Sequence, residues 1–64
     1  MRFNLMNFRK KKKLSQEKMS ELLGISRPYY SEIEMGKKTP SVELAYKIEE
    51  VFGVDNGLEL LKKE

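Results

Sequence analysis

Basic side chains are concentrated at one end of this 64-residue chain. Residues 1–13 carry six cations and no anions, whereas residues 39–64 carry three cations and six anions, so the formal net charge of +3 is unevenly spread. Lysine and arginine side chains are hydrogen-bond donors that bind phosphate and carboxylate oxygens. This layout suits the binding of a polyanion at the basic end, although a short chain can also acquire such an asymmetry by chance.

Catalysis finds little support among the side chains. The chain has no His and no Cys, so it lacks the commonest general base and the usual zinc ligands. Ser20 has no evident base, and we interpret it as a packing residue rather than a nucleophile. The sequence contains no glycine-rich phosphate loop and no paired carboxylates with a recognisable pocket. We therefore predict a protein that is not an enzyme and that binds no metal ion and no cofactor.

Two short helices between residues 15 and 37 must position any binding side chains. Met19, Leu22 and Leu23 have the i, i+3, i+4 spacing that predicts one apolar helix face. Gly24 follows them directly, where a helix end favours a residue that adopts positive φ. Ser15 is the predicted cap of this helix.

The second of these helices starts near Pro28. Either Ser26 or Arg27 is its cap, and in both cases Pro28 lies in the first turn, where its missing N–H is harmless. Tyr30 and Ile33 are three residues apart and predict its inward face. Two helices joined so tightly cross at a large angle, which is the helix-turn-helix geometry.

On these residues the chain resembles the Cro/repressor-like (XRE) family of helix-turn-helix DNA-binding proteins, over residues 5–54. The residues at signature positions are Gln16, Ser20, Gly24, Ile25, Ser26, Ile33, Glu34 and Gly36. Three positions depart from the family pattern: Ser20 replaces the usual Ala, Tyr30 replaces a β-branched aliphatic residue, and Lys13 stands where Gly is frequent. The resemblance implies an all-α fold, a compact bundle of five short helices of the lambda-repressor-like type, with residues 1–64 forming one domain.

The resemblance implies that the third helix of the chain contacts DNA bases through Arg27, Pro28, Tyr29 and Glu32. Arginine can bond O6 and N7 of guanine together, glutamate can accept from N4 of cytosine, and tyrosine can pack on a thymine methyl group or bond a phosphate. Pro28 offers only apolar contact. Glu32 has an alternative, because it could instead pair with Arg27 along the helix.

The resemblance also implies contacts to the DNA backbone from Gln16, Lys37 and Lys38. Gln16 opens a helix whose N-terminal amides favour anions, and the loop of residues 36–40 combines lysines with backbone amides. Lys13 ends a run of four lysines that would add affinity independent of sequence. The alternatives are an ordinary first-turn residue for Gln16, a turn without function for residues 36–40, and a solvated helix end for the lysine run.

Arg9 falls on or beside the buried face of the first helix, which is unusual for an arginine without a partner. The resemblance implies that Arg9 pairs with Glu34 and ties the first helix to the end of the third. We interpret this pair as a partly buried structural tie. The alternative is that the guanidinium also reaches a phosphate.

The remaining apolar residues predict two further helices. Asn4 is the predicted cap of the first helix, and Phe3 is expected to join the core from the segment before it. Ser41 is the predicted cap of a fourth helix, which ends at Gly53. The expected core residues of the first and fourth helices, together with Val54 in the turn after the fourth, are Leu5, Phe8, Leu44, Ala45, Ile48, Val51, Phe52 and Val54.

Residues 55–64 predict a short fifth helix, and the resemblance implies that such helices pair across a twofold axis. Leu58 and Leu61, with Leu60 as a further candidate, exceed what so small a core needs. Exposed apolar residues of this kind indicate a partner surface. We therefore predict a homodimer whose interface contains Leu58 and Leu61.

Together these features predict a sequence-specific DNA-binding transcriptional regulator, a repressor that binds a pseudo-palindromic operator as a homodimer with its third helix in the major groove. The alternative class is an antitoxin-like or protein-interaction helix-turn-helix module. No apolar run approaches the ~20 residues of a membrane span, and no signal peptide or effector domain is evident. We expect a cytoplasmic protein that binds double-stranded DNA, with no membrane contact and no small-molecule effector.

Overall fold

The structure, a computed structural model, describes residues 1–63, which form five α-helices and no strand. The helices are α1 (Phe3–Lys11), α2 (Gln16–Leu23), α3 (Arg27–Glu34), α4 (Val42–Phe52) and α5 (Gly57–Leu60). The all-α fold predicted from the sequence is confirmed. The main contacts between helices form a closed order that runs α1, α3, α2, α4, α5 and back to α1. No helix within the described residues is both long enough and apolar enough to cross a membrane.

Serine side chains cap the N-termini of α2 and α3. Ser15 Oγ accepts a hydrogen bond from the Lys18 N–H at 3.0 Å, and Ser26 Oγ accepts one from the Tyr29 N–H at 3.3 Å. Of the two predicted caps of α3, Ser26 is therefore the one observed. Pro28 is then the second helical residue, where the helix needs no N–H from it.

The start of α1 differs from the prediction. Arg2 is the cap residue and α1 already includes Phe3, so Asn4 lies inside the helix and does not cap it. Phe3 and Leu5 are two residues apart, about 200° around a helix, so both cannot face one core. Leu5 is fully buried and Phe3 is 47% exposed. The prediction that Phe3 joins the core is therefore wrong, and the buried residue of this segment is Arg2, at 3% exposed.

The C-terminal ends of α1, α2 and α3 have the same type of cap. In it, two backbone N–H groups donate to carbonyls of the last helical turn, and one residue adopts the left-handed conformation. After α2, the N–H groups of Gly24 and Ile25 form these bonds at 3.2 and 3.0 Å, with Gly24 at φ +72°. Gly36, at φ +81°, holds this position after α3. After α1 it is held by Lys13, at φ +59°. Lys13 therefore occupies a backbone position that favours glycine.

One apolar cluster forms the core. Its buried members are Leu5, Met19, Leu23, Tyr30, Ile33, Leu44, Ala45, Ile48 and Leu60. Phe8, Phe52 and Val54 pack against it, whereas Leu22 and Val51 are half-buried. Ser20 is 3% exposed, and its hydroxyl donates to the Glu17 carbonyl at 2.7 Å, as expected of a packing residue.

The tail helix is shorter than predicted, since α5 covers only Gly57–Leu60; Glu64, the last residue of the predicted helix, lies outside the described residues. Gly57 lies against α4, where a Cβ atom would collide with the Ala45 carbonyl oxygen, and its N–H donates to Glu49 Oε2 at 3.0 Å. Leu60 is 6% exposed and belongs to the core. The prediction that Leu60 is surplus to the core is therefore wrong.

An aromatic pair joins α1 to α4. The rings of Phe8 and Phe52 meet edge to face, with centroids 5.1 Å apart and an interplanar angle of 88°. Lys12 Nζ lies 5.3 Å from the Phe8 centroid and 5.8 Å from the Phe52 centroid, within the range of a cation–π contact. One lysine of the basic run thus contacts the edge of the core.

Candidate nucleic-acid interface

α3 presents a buried face and an open one. Its buried side chains are at most 1% exposed and comprise Tyr30, Ile33 and Glu34. The predicted base-contacting residues divide into two exposed ones, Arg27 and Pro28, and two half-buried ones, Tyr29 and Glu32. Tyr29 also packs against the core, so less of its ring is open than the sequence suggests. The first turn of α3 therefore offers Arg27 and Pro28 most freely to a partner.

The two charged side chains on the open side of α3, Arg27 and Glu32, form no ion pair with any of residues 1–63. Within residues 1–63, no carboxylate lies within ion-pair distance of Arg27, and no cation lies within that distance of Glu32. The two residues are five apart, about 140° around the helix, which separates their side chains. The alternative in which Glu32 pairs with Arg27 is therefore absent from the structure.

The carboxylate of Glu34 joins three helices. Arg9 of α1 donates from Nε to Oε2 at 2.6 Å and from Nη2 to Oε1 at 3.3 Å. Gln16 of α2 donates from Nε2 to Oε1 at 3.0 Å, and the Tyr30 hydroxyl of α3 donates to Oε2 at 2.5 Å. The side chain of Arg9 is 11% exposed and that of Glu34 is 1% exposed. Arg9 and Glu34 thus form an ion pair, within a larger network, whose carboxylate is fully buried and whose guanidinium is mostly buried.

The hydrogen bonds to Glu34 set its charge state. Burial alone would raise the pKa of the Glu34 carboxyl, but the bonds from Arg9, Tyr30 and Gln16 outweigh burial and hold that pKa below its usual value. The bond to Glu34 raises the pKa of the Arg9 guanidinium. Burial, with the adjoining carboxylate second, raises the pKa of the Tyr30 hydroxyl. An ionised glutamate therefore lies between a charged arginine and a neutral tyrosine.

The Glu34 network brings together two of the predicted phosphate-contacting segments. Gln16, at the start of α2, bonds Glu34 at the end of α3, and the loop that contains Lys37 and Lys38 follows directly. Gln16 is half-buried, whereas Lys13, Lys37 and Lys38 are exposed. No carboxylate among residues 1–63 lies within ion-pair distance of these three lysines. Their charges are available to an anionic partner.

The loop of residues 36–40 offers its side chains rather than its first amides. The N–H groups of Gly36, Lys37 and Lys38 donate to the carbonyls of Ile33 and Glu32, at distances from 2.9 to 3.4 Å. These three amides close the end of α3. These three are not free to bind a phosphate, so the prediction that amides of this loop take part is corrected for Gly36, Lys37 and Lys38.

Arg2 holds three backbone segments together, and nothing in the sequence pattern identifies it. Its Nε donates to the Leu61 carbonyl at 2.7 Å, and its Nη1 donates to the carbonyls of Ile33 at 2.7 Å and Lys38 at 2.9 Å. Its own N–H donates to the Glu34 carbonyl at 2.8 Å. Burial lowers the pKa of this guanidinium. Because every one of these partners is a backbone carbonyl distant in sequence, no side-chain spacing signals the arrangement.

The two predicted dimer leucines differ in exposure. Leu58 is 55% exposed. Leu61 is half-buried and packs against the core. Other exposed apolar side chains lie on α4, where Val42 is 47% and Tyr46 is 58% exposed. Leu58 can therefore contact a partner without any change in the fold, whereas Leu61 is partly committed to the core.

Comparison with known proteins agrees with this geometry. A family model described as Helix-turn-helix matches residues 5–55. An HTH-type transcriptional regulator of Methanocaldococcus jannaschii is 43% identical over 54 residues, covering 84% of the chain and 82% of that protein. One of Archaeoglobus fulgidus is 40% identical over 52 residues, covering 81% of the chain and 73% of that protein. No solved structure matches the chain.

A relative from Bacillus subtilis, also named an HTH-type transcriptional regulator, is 39% identical over 51 residues. These residues are 80% of the chain and 44% of that protein, so the chain spans less than half the length of this relative. The segment that the family model matches contains α2 and α3 together with both members of the Arg9–Glu34 pair. The chain therefore belongs to the XRE family of helix-turn-helix transcriptional regulators.

Proposed function

We propose that the chain is a transcriptional repressor that binds a pseudo-palindromic operator as a homodimer, with α3 in the major groove. The observation that carries the proposal is the division of α3 into two sides. Its inner side is fixed by the core and by the Glu34 network, while its open side presents Arg27 and Pro28. A helix held firmly on one side, with unpaired polar groups on the other, is suited to reading base edges.

Each residue on the open side has a distinct role in this proposal. Arg27 bonds O6 and N7 of a guanine, and among residues 1–63 it has no ion-pair partner to give up for this contact. Glu32 accepts from N4 of a cytosine, which provides the donor that a carboxylate needs near phosphates. Pro28 and the open part of the Tyr29 ring supply apolar contact, for which the methyl group of thymine is suited.

The lysines and Gln16 bind the DNA backbone and orient α3 without reading sequence. Gln16 Nε2 carries two N–H groups, and only one of them is needed for the bond to Glu34. The other can donate to a phosphate. Lys13, Lys37 and Lys38 add exposed charges that no described carboxylate neutralises. Such contacts release counterions and make the affinity fall steeply with salt.

A dimer supplies the second recognition helix. One helix reads only a few base pairs, whereas a twofold dimer places two recognition helices about 34–36 Å apart, one turn of duplex, on matched half-sites. Leu58 supports this part of the proposal, because it is an exposed leucine on α5, within residues 39–64, which carry a net negative charge. Repression requires only that the bound dimer blocks transcription. The proposal implies a cytoplasmic location.

Selection of bound sequences from randomised duplex DNA tests the base-reading part. We expect an enriched pseudo-palindrome, and for Arg27→Ala a loss of about 1–3 kcal/mol at the preferred site together with relaxed preference at one base pair. Glu32→Ala should relax a different base pair. Lys47→Ala is the matched control, since Lys47 is an exposed cation on α4 that already lies 3.8 Å from Glu50.

Each part of the proposal has an outcome that would contradict it. If the wild type enriches no DNA sequence, the chain has no operator. Partner binding that persists at high salt would instead favour a protein-interaction or antitoxin-like module. If both Arg27→Ala and Glu32→Ala select the same sites as the wild type, these residues do not read bases.

The dimer is tested by a pair of variants. Leu58→Lys should lower the sedimentation coefficient and weaken operator binding, whereas Phe3→Lys, at a similarly exposed site on α1, should not. Equal behaviour of these two variants would place the interface elsewhere.

A further inference from the structure

We propose that Arg2 is a positioning residue that makes DNA binding by the loop of residues 36–40 depend on the segment after α5. The loop of residues 36–40 is called the lysine loop here, and residues 61–63 are called the tail. The inference rests on the proposed function, because it assumes that Lys37 and Lys38 contact phosphates. It assigns the Arg2 guanidinium the task of holding the lysine loop and the tail in one arrangement.

The geometry of the guanidinium carries the inference. Nη1 bridges the Ile33 carbonyl, in the last turn of α3, and the Lys38 carbonyl of the lysine loop, at 2.7 and 2.9 Å. Nε of the same planar group binds the Leu61 carbonyl of the tail at 2.7 Å. The donors of an arginine are fixed relative to one another. The three carbonyls are therefore fixed relative to one another as well.

Burial makes this arrangement cooperative. Arg2 is 3% exposed, so a guanidinium N–H that loses its carbonyl has little access to water. A buried donor without a partner is unfavourable, more so when it belongs to a charged group. If the Leu61 carbonyl moves away, Nε is left buried without its acceptor, which lowers the cost of turning Arg2 toward water and releasing Lys38. The position of the tail and the position of the lysine loop are thus linked through one side chain.

A second contact places the tail against the lysine loop independently of Arg2. Lys63 Nζ donates to the Gly36 carbonyl at 3.5 Å. A Cβ atom at Gly36 would lie only 3.3 Å from Lys63 Cδ, so the two segments are in close contact. The tail therefore covers the first residue of the lysine loop as well as bonding to Arg2.

This link has a consequence for binding. A loop that is already fixed loses less conformational freedom when Lys37 and Lys38 bind phosphates, so its affinity is higher. Contacts that order α5 and the tail, such as a dimer contact at Leu58, also order the lysine loop. By linkage, DNA bound at the loop must strengthen those same contacts by an equal factor.

Amide hydrogen exchange of the free protein tests the link without DNA. The amides of Gly36 and Lys37 report on the lysine loop, and the amides of α2 serve as the internal reference for global unfolding. In Arg2→Met, loss of the bonds to Arg2 should speed loop exchange relative to α2 by about 10- to 100-fold. Arg2→Lys should show the same effect, because one ammonium cannot span three separated carbonyls, and this separates geometry from charge.

Deletion of residues 61–64 tests the part played by the tail. We expect the deletion to speed loop exchange relative to α2, and to add little in the Arg2→Met background, because both changes break one linkage. Leu61→Ala keeps the carbonyl and removes the side chain, and Lys63→Ala removes only the second contact. Both controls should keep the ratio of loop exchange to α2 exchange close to the wild-type value, although Leu61→Ala lowers global stability because its side chain packs against the core. Loop exchange at the wild-type ratio in Arg2→Met, or effects of Arg2→Met and the deletion that simply add, would overturn the proposal.

The salt dependence of DNA binding supplies a readout that a purely structural role would not move. In Arg2→Met, the slope of log affinity against log salt should flatten by about 0.9 for each phosphate that the lysine loop no longer binds. The selected base sequence should stay the same, since α3 is unchanged. A variant that is merely less stable loses affinity with an unchanged slope, and that result would also overturn the proposal. If the wild type selects no DNA sequence, the proposed function fails, while the exchange rates still decide whether Arg2 links the two segments.

Discussion

Replacement of Glu34 by alanine tests whether one carboxylate holds the helix-turn-helix to α1. The change removes the acceptor of four hydrogen bonds, two from Arg9 and one each from Gln16 and Tyr30. It leaves a guanidinium whose side chain is 11% exposed without its counter-charge, and a fully buried hydroxyl without its acceptor. Gln16 is half-buried and can turn toward water.

The size of the effect follows from these stranded groups. Removal of one partner of a buried ion pair costs about 3–5 kcal/mol, whereas a surface pair contributes about 0–1 kcal/mol. An unpaired buried hydroxyl costs about 1–3 kcal/mol by itself, but the two effects share one network and do not simply add. A domain of this length has a total free energy of unfolding of about 3–10 kcal/mol. The expected loss is a large fraction of that total, and at the lower end of the range Glu34→Ala unfolds much of the protein at ordinary temperature.

Urea unfolding followed by far-ultraviolet circular dichroism measures the loss. Tyr30→Phe is the graded variant, because it removes one hydrogen bond to a charged group and should cost about 1.5–3 kcal/mol. Glu50→Ala is the matched control, because it breaks an exposed pair with Lys47 and should cost at most about 1 kcal/mol. A loss for Glu34→Ala as small as that for Glu50→Ala would refute the reasoning and place the Arg9–Glu34 pair energetically at the surface.

The remaining predictions concern pH and two backbone positions. Folding lowers the pKa of Glu34, so the ionised carboxylate stabilises the fold at pH values above its ordinary pKa of 4.5. This stabilisation should be lost as the pH falls through the lower pKa of the folded state, and urea midpoints between pH 7 and pH 2 measure the loss. The pKa of Tyr30 is raised on folding, so stability should fall as the pH rises above its ordinary value of 10.0, and Tyr30→Phe should lack this part of the loss. Lys13→Gly should raise the free energy of unfolding by about 0.5–1 kcal/mol, because Lys13 is in the left-handed region, while it weakens DNA binding if that lysine contacts a phosphate; a stability loss in thermal melts would contradict the first part. Gly57→Ala should cost about 1–3 kcal/mol, because the new methyl group meets the Ala45 carbonyl; an unchanged melting temperature would show that α5 can move away from α4 freely.

Local signals predict the helix-turn-helix well. Ser15 caps α2 and Gly24 ends it, because the side chains and backbone freedom that these positions need are properties of single residues. Tyr30 and Ile33 are buried as their spacing predicts, because helical periodicity decides which side of α3 faces the core. These features depend on neighbours within one or two turns, and a sequence displays such neighbours directly.

Features that depend on distant backbone cannot be predicted in the same way. Arg2 binds the carbonyls of Ile33, Lys38 and Leu61, and every residue type has a carbonyl, so the sequence contains no trace of these partners. The sequence places the start of α1 too late, after Asn4, because asparagine is a common helix cap. As a result, Phe3 is predicted to be buried although it is exposed, and Arg2 is buried without having been predicted. A charged residue is therefore buried where an apolar one is expected.

The Glu34 network is predictable in part. The Arg9 pair follows from the family resemblance, whereas the Tyr30 hydroxyl lies one turn before Glu34, a spacing that brings side chains on a helix together. That spacing is the signal in the sequence for the bond between Tyr30 and Glu34. The third partner, Gln16, is predicted either to contact a phosphate or to be an ordinary first-turn residue. Its bond to Glu34 is missed, because nothing in the sequence fixes the crossing of α2 and α3 closely enough to place its amide there.

The two sides of α3 have unequal tolerance to mutation, and this bears on how such proteins diverge. Substitution of Tyr30, Ile33 or Glu34 disturbs the core or strands a buried polar group, so selection for a folded protein removes most changes there. Arg27 and Pro28 are exposed, and exchange of such surface side chains usually alters stability by no more than about 0.5 kcal/mol. Under the proposed function, gene duplicates of this chain can therefore acquire new binding preferences through these outer positions while the scaffold stays the same. For the same reason, a library randomised only at exposed positions of α3 should consist mainly of folded proteins.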